Sequence, residues 1–226
     1  CVDVGCDALE LNLSCPHMDR KDMGAHVAND EDIIRSILAA VKSVVDVPIW
    51  VKLTSANSSL VNGAAAAYDA GAASISLCNT FPSLPLLDPE TMRFEVEVDG
   101  LVTSGGLGGL AILPQALQHV SDIARAFPDK SISGIGGIKG FREAFNFIAH
   151  GAGNLQVCTA AMEEKGSGGI GIKLIQEMKD DLSDYMQRHG YSSIEGFRSV
   201  ARDRVVEHSQ IRRKSDAYNG GYAKLI

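Results

Sequence analysis

Three kinds of residue in this 226-residue chain have types and spacings that could do chemistry: a cysteine, a lysine and two clusters of glycine. In Asn12-Leu13-Ser14-Cys15-Pro16-His17, alternation along an extended strand sends Asn12 and Ser14 the same way, and Cys15 opens the loop that follows. A thiol there is placed to exchange a proton with a bound substrate, and His17 would tune it or bind substrate. Taken alone, such a Cys–His pair is more often incidental than catalytic. The loop from Pro16 to Asp30 is polar and carries Gly24, which suits a lid, with His26 a solvated residue within it.

Lys52 ends an otherwise apolar run, Ile49-Trp50-Val51-Lys52-Leu53. An unpaired buried ammonium is costly, so this side chain must snorkel out or meet an anion. Asn79-Thr80 supplies donors and acceptors at the next strand end; without Lys52 beside it, the pair would read as ordinary loop capping. The glycines lie in Gly105–Gly109 and in Gly134-Ile135-Gly136-Gly137, each before a helix. Glycine lets backbone N–H groups approach a phosphate closely, and a helix N-terminus adds a favourable dipole. Either cluster alone would pass for a tight turn; two in adjacent late units favour phosphate binding. Thr159 could add a hydroxyl, whereas Cys158 on its own reads as a small core residue.

Something must position these residues. Short apolar runs at Ala8–Ser14, Pro48–Leu53, Ser74–Asn79, Ser131–Gly136 and Asn154–Thr159 read as strands covered on both faces. Between and after them, Asp30–Val45, Ser59–Ala70, Leu113–Phe127, Gly140–His150 and Ile172–His189 read as helices. Pro114 suits a first helical turn, and Gly71 and Gly151 suit helix ends. The pattern predicts a parallel sheet, either doubly wound or part of an eight-stranded barrel. Polar or glycine-rich residues cluster at the C-terminal end of every strand, and many contributing tips favour the TIM (β/α)8 barrel over a single switch point. The expectation is a C-terminal fragment holding about five of the barrel's eight units. Residues 1–200 would form that domain and 201–226 a linker or tail, basic at Arg212-Arg213-Lys214. Phe81–Gly109 is a long loop, of the kind that is usually functional, with a hairpin strand expected near Phe94–Val98.

Composition excludes much else. Lys plus Arg number 21 against 28 Asp plus Glu, a net charge of −7 with no basic block that would grip nucleic acid or an anionic membrane. No apolar run is long enough to span a bilayer. Cys1, Cys6, Cys15, Cys78 and Cys158 contain no C-x-x-C pair and the histidines no H-E-x-x-H, which argues against a disulfide framework, a metal site or an iron–sulfur cluster in this chain. Reduced thiols suit a cytoplasmic protein.

LELNLSCPH, VKLT, CNTF, SGGLGG, GIGGI and LQVCTA, in this order and spacing, resemble the flavin barrel shared by dihydropyrimidine dehydrogenases and dihydroorotate dehydrogenases. The resemblance runs from Ala8 to Ala160. His17 after SCP and the MGAHVANDED stretch are similar to the dihydropyrimidine branch; the dihydroorotate enzymes typically carry Asn after SCP.

The resemblance implies FMN as cofactor and reduction of the 5,6 double bond of uracil or thymine. Cys15 would protonate C5 while hydride from flavin N5 reaches C6. Asn12, Asn79 and Thr80 would bind the pyrimidine's amides, with Ser14 and His17 supporting the reacting end. Lys52 would face the flavin's N1 side, and Gly109, Ile135, Gly136, Gly137, Cys158 and Thr159 would hold FMN, largely at its phosphate. Electrons would come from NAD(P)H through iron–sulfur clusters on a partner domain or subunit, since no nicotinamide fingerprint is visible, and a homo- or hetero-oligomer is expected. Two features depart from the family pattern: Met18–Asp22 replaces a glycine-rich lid, and Ile135 stands where a threonine is usual. Dihydroorotate oxidation is the close alternative; a non-catalytic barrel binding a phosphorylated ligand is the alternative of another class.

Overall fold

The computed structural model describes residues 1–15, 27, 29–54, 60–163, 170–207 and 211. In chain order its strands are β1 (Leu9–Asn12), β2 (Ile49–Lys52), β3 (Ser74–Leu77), β4 (Phe81–Ser83), β5 (Leu87–Asp88), β6 (Arg93–Phe94), β7 (Gly105–Leu107), β8 (Ser131–Ile135) and β9 (Asn154–Gln156). The helices are α1 (Glu31–Lys42), α2 (Leu60–Asp69), α3 (Leu113–Ala126), α4 (Phe141–Ala149), α5 (Thr159–Glu163) and α6 (Ile170–His189).

β1, β2, β3, β8 and β9 form one five-stranded sheet in that order, every pair parallel. Spatial order follows chain order without reversal. A doubly wound sheet would turn back at a switch point; this one adds each new strand on the same side, as a part of a TIM barrel does.

Alternation along the strands sorts the two faces. Leu11, Ile49, Val51, Ile75, Leu77 and Ile132 join the apolar core under the helices. Their neighbours Glu10, Asn12, Lys52, Ser76, Ser133 and Gln156 point inward, and four of these are hydrogen-bonded to one another across the sheet. The outer face is packed tightly enough to dictate a glycine: a Cβ on Gly134 would lie 2.5 Å from the Phe147 ring.

Two of the covering helices, α1 and α3, have a local reason to begin where they do. Asp30 caps α1, its carboxylate accepting from the backbone N–H groups of Asp32 and Ile33 at 3.1 Å each. α1 then buries Ile34 and Leu38 against the sheet. Pro114 occupies the first turn of α3, where its missing N–H has no partner to lose. Tyr68 at the end of α2 donates to the Ser131 carbonyl at 2.8 Å and packs edge-on against Phe127, tying α2 to β8 and α3.

Two elements differ from the sequence expectation. The long loop holds two small antiparallel pairs, β4 with β7 and β5 with β6, plus a bridge between Val98 and Leu101 in place of a strand over Phe94–Val98. The last strand stops at Gln156, and Thr159 opens α5. Beyond α6 the chain remains docked: Phe197 is buried, stacking on Phe145 at 5.4 Å and meeting Tyr185 edge-on. Ser199 and Ala201 donate backbone bonds to the carbonyls of Ile148 and Ala149. The basic Arg212–Lys214 stretch lies outside the described residues.

Candidate active site

The C-terminal tips of β2, β3, β8 and β9 border one open cleft of about 220 Å³. Adjacent strands lie ~4.8 Å apart, so four tips span roughly 14 Å, room for a ring system and a phosphorylated chain together. Lys52, Asn79, Thr80, Gly109, Ile135, Gly136, Gly137, Cys158 and Thr159 all line it. Nine residues singled out in the sequence thus meet on one surface.

Gly108 and Gly109 of the first cluster lie against Thr159, and Gly137 of the second lies against Gly109. A Cβ on Gly109 would lie 3.2 Å from Thr159 Cγ2, and one on Gly108 3.5 Å from its Oγ1. Gly137, at φ +74°, admits no side chain: a Cβ would meet the Gly109 carbonyl oxygen at 2.8 Å and Leu113 Cβ at 2.9 Å. Gly109 itself sits at φ +66° and Gly136 at φ +131°. Backbone thus occupies space that side chains would otherwise fill, which is how a chain presents bare N–H groups to a phosphate.

At the β2 end stands Lys52. None of the ion pairs among the described residues includes it. Cys78 lines the cleft beside it, buried. Burial pushes the Cys78 thiol up to about 12, against the opposing pull of the Lys52 charge, so Cys78 stays protonated at neutral pH.

A hydrogen-bonded chain links the cleft to β1. Asn79 Nδ2 donates to the Ser14 carbonyl at 2.9 Å and to Ser14 Oγ at 2.8 Å. Ser14 Oγ donates to Asn12 Oδ1 at 2.6 Å, and Asn79 Oδ1 accepts from Thr80 N at 2.8 Å. Asn79 therefore spends most of its capacity holding Ser14 and Thr80, and what it offers a ligand is its remaining acceptor lone pair. Asn12 has the opposite character: its Oδ1 is committed to Ser14, while its amide nitrogen has no bond among the described residues and the side chain is exposed. Cys15 follows Ser14 directly and is half-buried, outside the cleft's lining. His17 and most of the expected lid lie outside the described residues.

Cys158 corrects the core reading, being exposed and turned to the cleft. Its neighbours Leu155 and Val157 pack on the core, so the thiol shares the cleft side with Gln156. Cys78, Lys139 and Gln156 also line the cleft and were not singled out beforehand. For Gln156 the signal was present: alternation from a lining residue two places on, Cys158, puts it on the same side.

This donor set fits a phosphorylated flavin. It provides a glycine cradle with a threonine hydroxyl for the phosphate, a cation with no ion-pair partner among the described residues for a ring carrying negative charge, and apolar Ile112, Ile135 and Ile138 on the same cleft wall.

Comparison with known proteins identifies the family. The family model described as dihydroorotate dehydrogenase matches residues 3–186. The chloroplastic dihydropyrimidine dehydrogenase (NADP(+)) of Arabidopsis thaliana is 33% identical over 221 residues, covering 95% of this chain and 50% of that protein. The NAD-dependent dihydropyrimidine dehydrogenase subunit PreA of Escherichia coli K12 is 30% identical over 219 residues, 96% of this chain and 52% of that protein. The catalytic subunit of dihydroorotate dehydrogenase B (NAD(+)) from Methanothermobacter thermautotrophicus is 33% identical over 202 residues, 89% and 63% respectively. This chain thus spans about half the length of the first two. Among solved structures, dihydroorotate dehydrogenase of Eimeria tenella in complex with ferulenol superposes with a TM-score of 0.66 at 21% identity, covering 86% of this chain and 54% of that one, a likeness of fold. By the extent of the family match, this chain belongs to the dihydroorotate dehydrogenase family.

Proposed function

We propose that this chain is the FMN-binding, substrate-reducing part of a dihydropyrimidine dehydrogenase acting on uracil or thymine. The observation that carries the proposal is the convergence of the glycine cradle, Lys52 and the Asn79–Ser14 chain on one cleft, with Cys15 one residue from that chain. FMN held there would supply hydride to C6 of the pyrimidine.

The chain's own residues do the rest. Gly109, Gly136, Gly137 and Thr159 hold the phosphate, and Ile135 contributes its backbone and an apolar flank. Lys52 places a positive charge where negative charge gathers on the ring, an electrostatic contribution made strong by partial burial. Asn12 offers its free amide nitrogen to a ring carbonyl, and Asn79 and Thr80 accept from ring N–H groups. Cys15 gives its thiol proton to C5: the S–H bond breaks, the C5–H bond forms, and the thiolate regains a proton from solvent. Cys78 cannot share this task, because its proton is held too tightly and it is buried.

Electrons would reach the flavin from NAD(P)H through iron–sulfur clusters on a partner domain or subunit. Relatives named as a subunit and as a catalytic subunit support that arrangement, and a cytoplasmic home accords with free cysteines. No helix among the described residues is long and apolar enough to cross a membrane.

Oxidation of dihydroorotate is the second reading, supported by a relative of that name at 33% identity. His17 after Ser14-Cys15-Pro16 favours the first. The deciding measurement is turnover by the purified holoenzyme with dihydrouracil and with dihydroorotate. Turnover of dihydrouracil is expected; activity on dihydroorotate alone would transfer the assignment to the second reading. A colourless protein that takes up no FMN would leave only a non-catalytic barrel.

A further inference from the structure

The inward face of the sheet carries a polar cluster that the proposed reaction leaves unused. Glu10 on β1 accepts a hydrogen bond from the Ser76 hydroxyl on β3 and, at 2.7 Å, from the side-chain amide nitrogen of Gln156 on β9. The same nitrogen lies 3.0 Å from Ser133 Oγ and 3.1 Å from Ser76 Oγ. None of the ion pairs among the described residues neutralises Glu10. Gln156 is also part of the cleft wall, which makes it the one member of the cluster that reaches the site.

A carboxylate only accepts hydrogen bonds, whereas an amide has a donating and an accepting end. Glu10 therefore decides which way Gln156 is turned: nitrogen toward the carboxylate, carbonyl oxygen away from it. No hydrogen bond among the described residues uses Gln156 Oε1.

We propose that Glu10 is a positioning residue that locks the Gln156 amide and so presents its carbonyl oxygen as a fixed acceptor on the cleft wall, for a hydroxyl or N–H donor of the cofactor. FMN carries such donors in its ribityl hydroxyls and its ring N3–H. The inference rests on the FMN reading above and adds to it a residue that touches no ligand. Glutamine at position 10 could offer either end of its own amide, so the lock would be lost while size and hydrogen-bonding capacity remain.

The test is a double-mutant cycle on the FMN dissociation constant of the apoprotein prepared from the holoenzyme, read by flavin fluorescence. Gln156→Leu is expected to weaken FMN binding about three- to tenfold, the worth of one hydrogen bond. Glu10→Gln should weaken it by a similar factor or less, and the double variant no more than Gln156→Leu alone, because both remove the same interaction. A Glu10 that served only to stabilise the sheet would act independently of Gln156, and the two losses would multiply; that result overturns the proposal. So does a wild-type dissociation constant in Glu10→Gln. Should that variant fail to fold, Glu10→Asp keeps the charge, withdraws it from the 2.7 Å contact, and carries the same expectations. Wild-type protein that takes up no FMN would overturn the functional reading itself, an outcome distinct from flavin binding that ignores position 10.

Discussion

Cys78 shows how its surroundings can keep a thiol out of proton-transfer chemistry. Cys78 is buried, and the cost of burying a thiolate outweighs the favourable charge of Lys52, so its proton stays on well past neutrality. Cys15 is half-buried at the mouth of a loop. In the proposed reaction proton delivery falls to Cys15, and Cys15→Ala in the holoenzyme should lower turnover by roughly 10²–10⁴, the usual worth of a positioned general acid. FMN content should stay unchanged, since Cys15 lies outside the cleft lining. Unaltered turnover would remove Cys15 from the reaction. The contrast is also readable chemically: native-state alkylation at pH 8 should label exposed Cys158 and spare Cys78, with mass spectrometry of the peptides as the measurement.

Elements place these residues, and their junctions carry the tightest constraints. The turn after β8 runs so close to Gly109 that Gly137→Ala must push two backbone segments apart in a left-handed conformation alanine resists. FMN retention should fall sharply in that variant, measured by bound flavin per protein after gel filtration; full retention would mean that the cradle is not where the phosphate lies. On α3, His119 stacks on Phe81 and has a buried Nε2 without a hydrogen-bond partner. Burial holds its pKa below the ordinary histidine value, with Asp122 opposing weakly. The sign follows from linkage: the unfolded chain protonates His119 first as pH falls, so stability present above about pH 6.5 drains away below it. His119→Phe should therefore flatten the loss of Tm between pH 7 and pH 5. An unchanged slope would show that other groups set it. At the far end of the fold, Phe197 packs against α4 and α6, and Phe197→Ala should cost about 3–5 kcal/mol by denaturant titration.

At the scale of the molecule, strand and helix positions were legible where core-facing residues repeat in apolar pairs, as Ile49/Val51 and Ile75/Leu77 do, and where a helix carries a start signal, as Asp30 and Pro114 do. The tips were legible too, since polar residues such as Asn12, Lys52 and Asn79 end apolar strands. What escaped were features fixed by contacts distant in sequence. β4 pairs with β7 across the long loop through three residue pairs, too few to leave a pattern, and Phe197 is buried only because Phe145 and Tyr185 arrive from elsewhere. The same reasoning applies to the sheet's edges. Among the described residues β1 and β9 each pair on one side alone, and the inward face between them leaves Glu10 and Asn12 exposed. Open strand edges template association with other strands. A polypeptide of residues 1–226 expressed by itself should therefore sediment above its 24.0 kDa monomer mass and increasingly so with concentration, because the edges that β1 and β9 leave unpaired among the described residues favour self-pairing. A single monomeric boundary across a hundredfold range of concentration would mean that these edges are blunted by the chain itself, and that the curl of the sheet already satisfies what a closed barrel would.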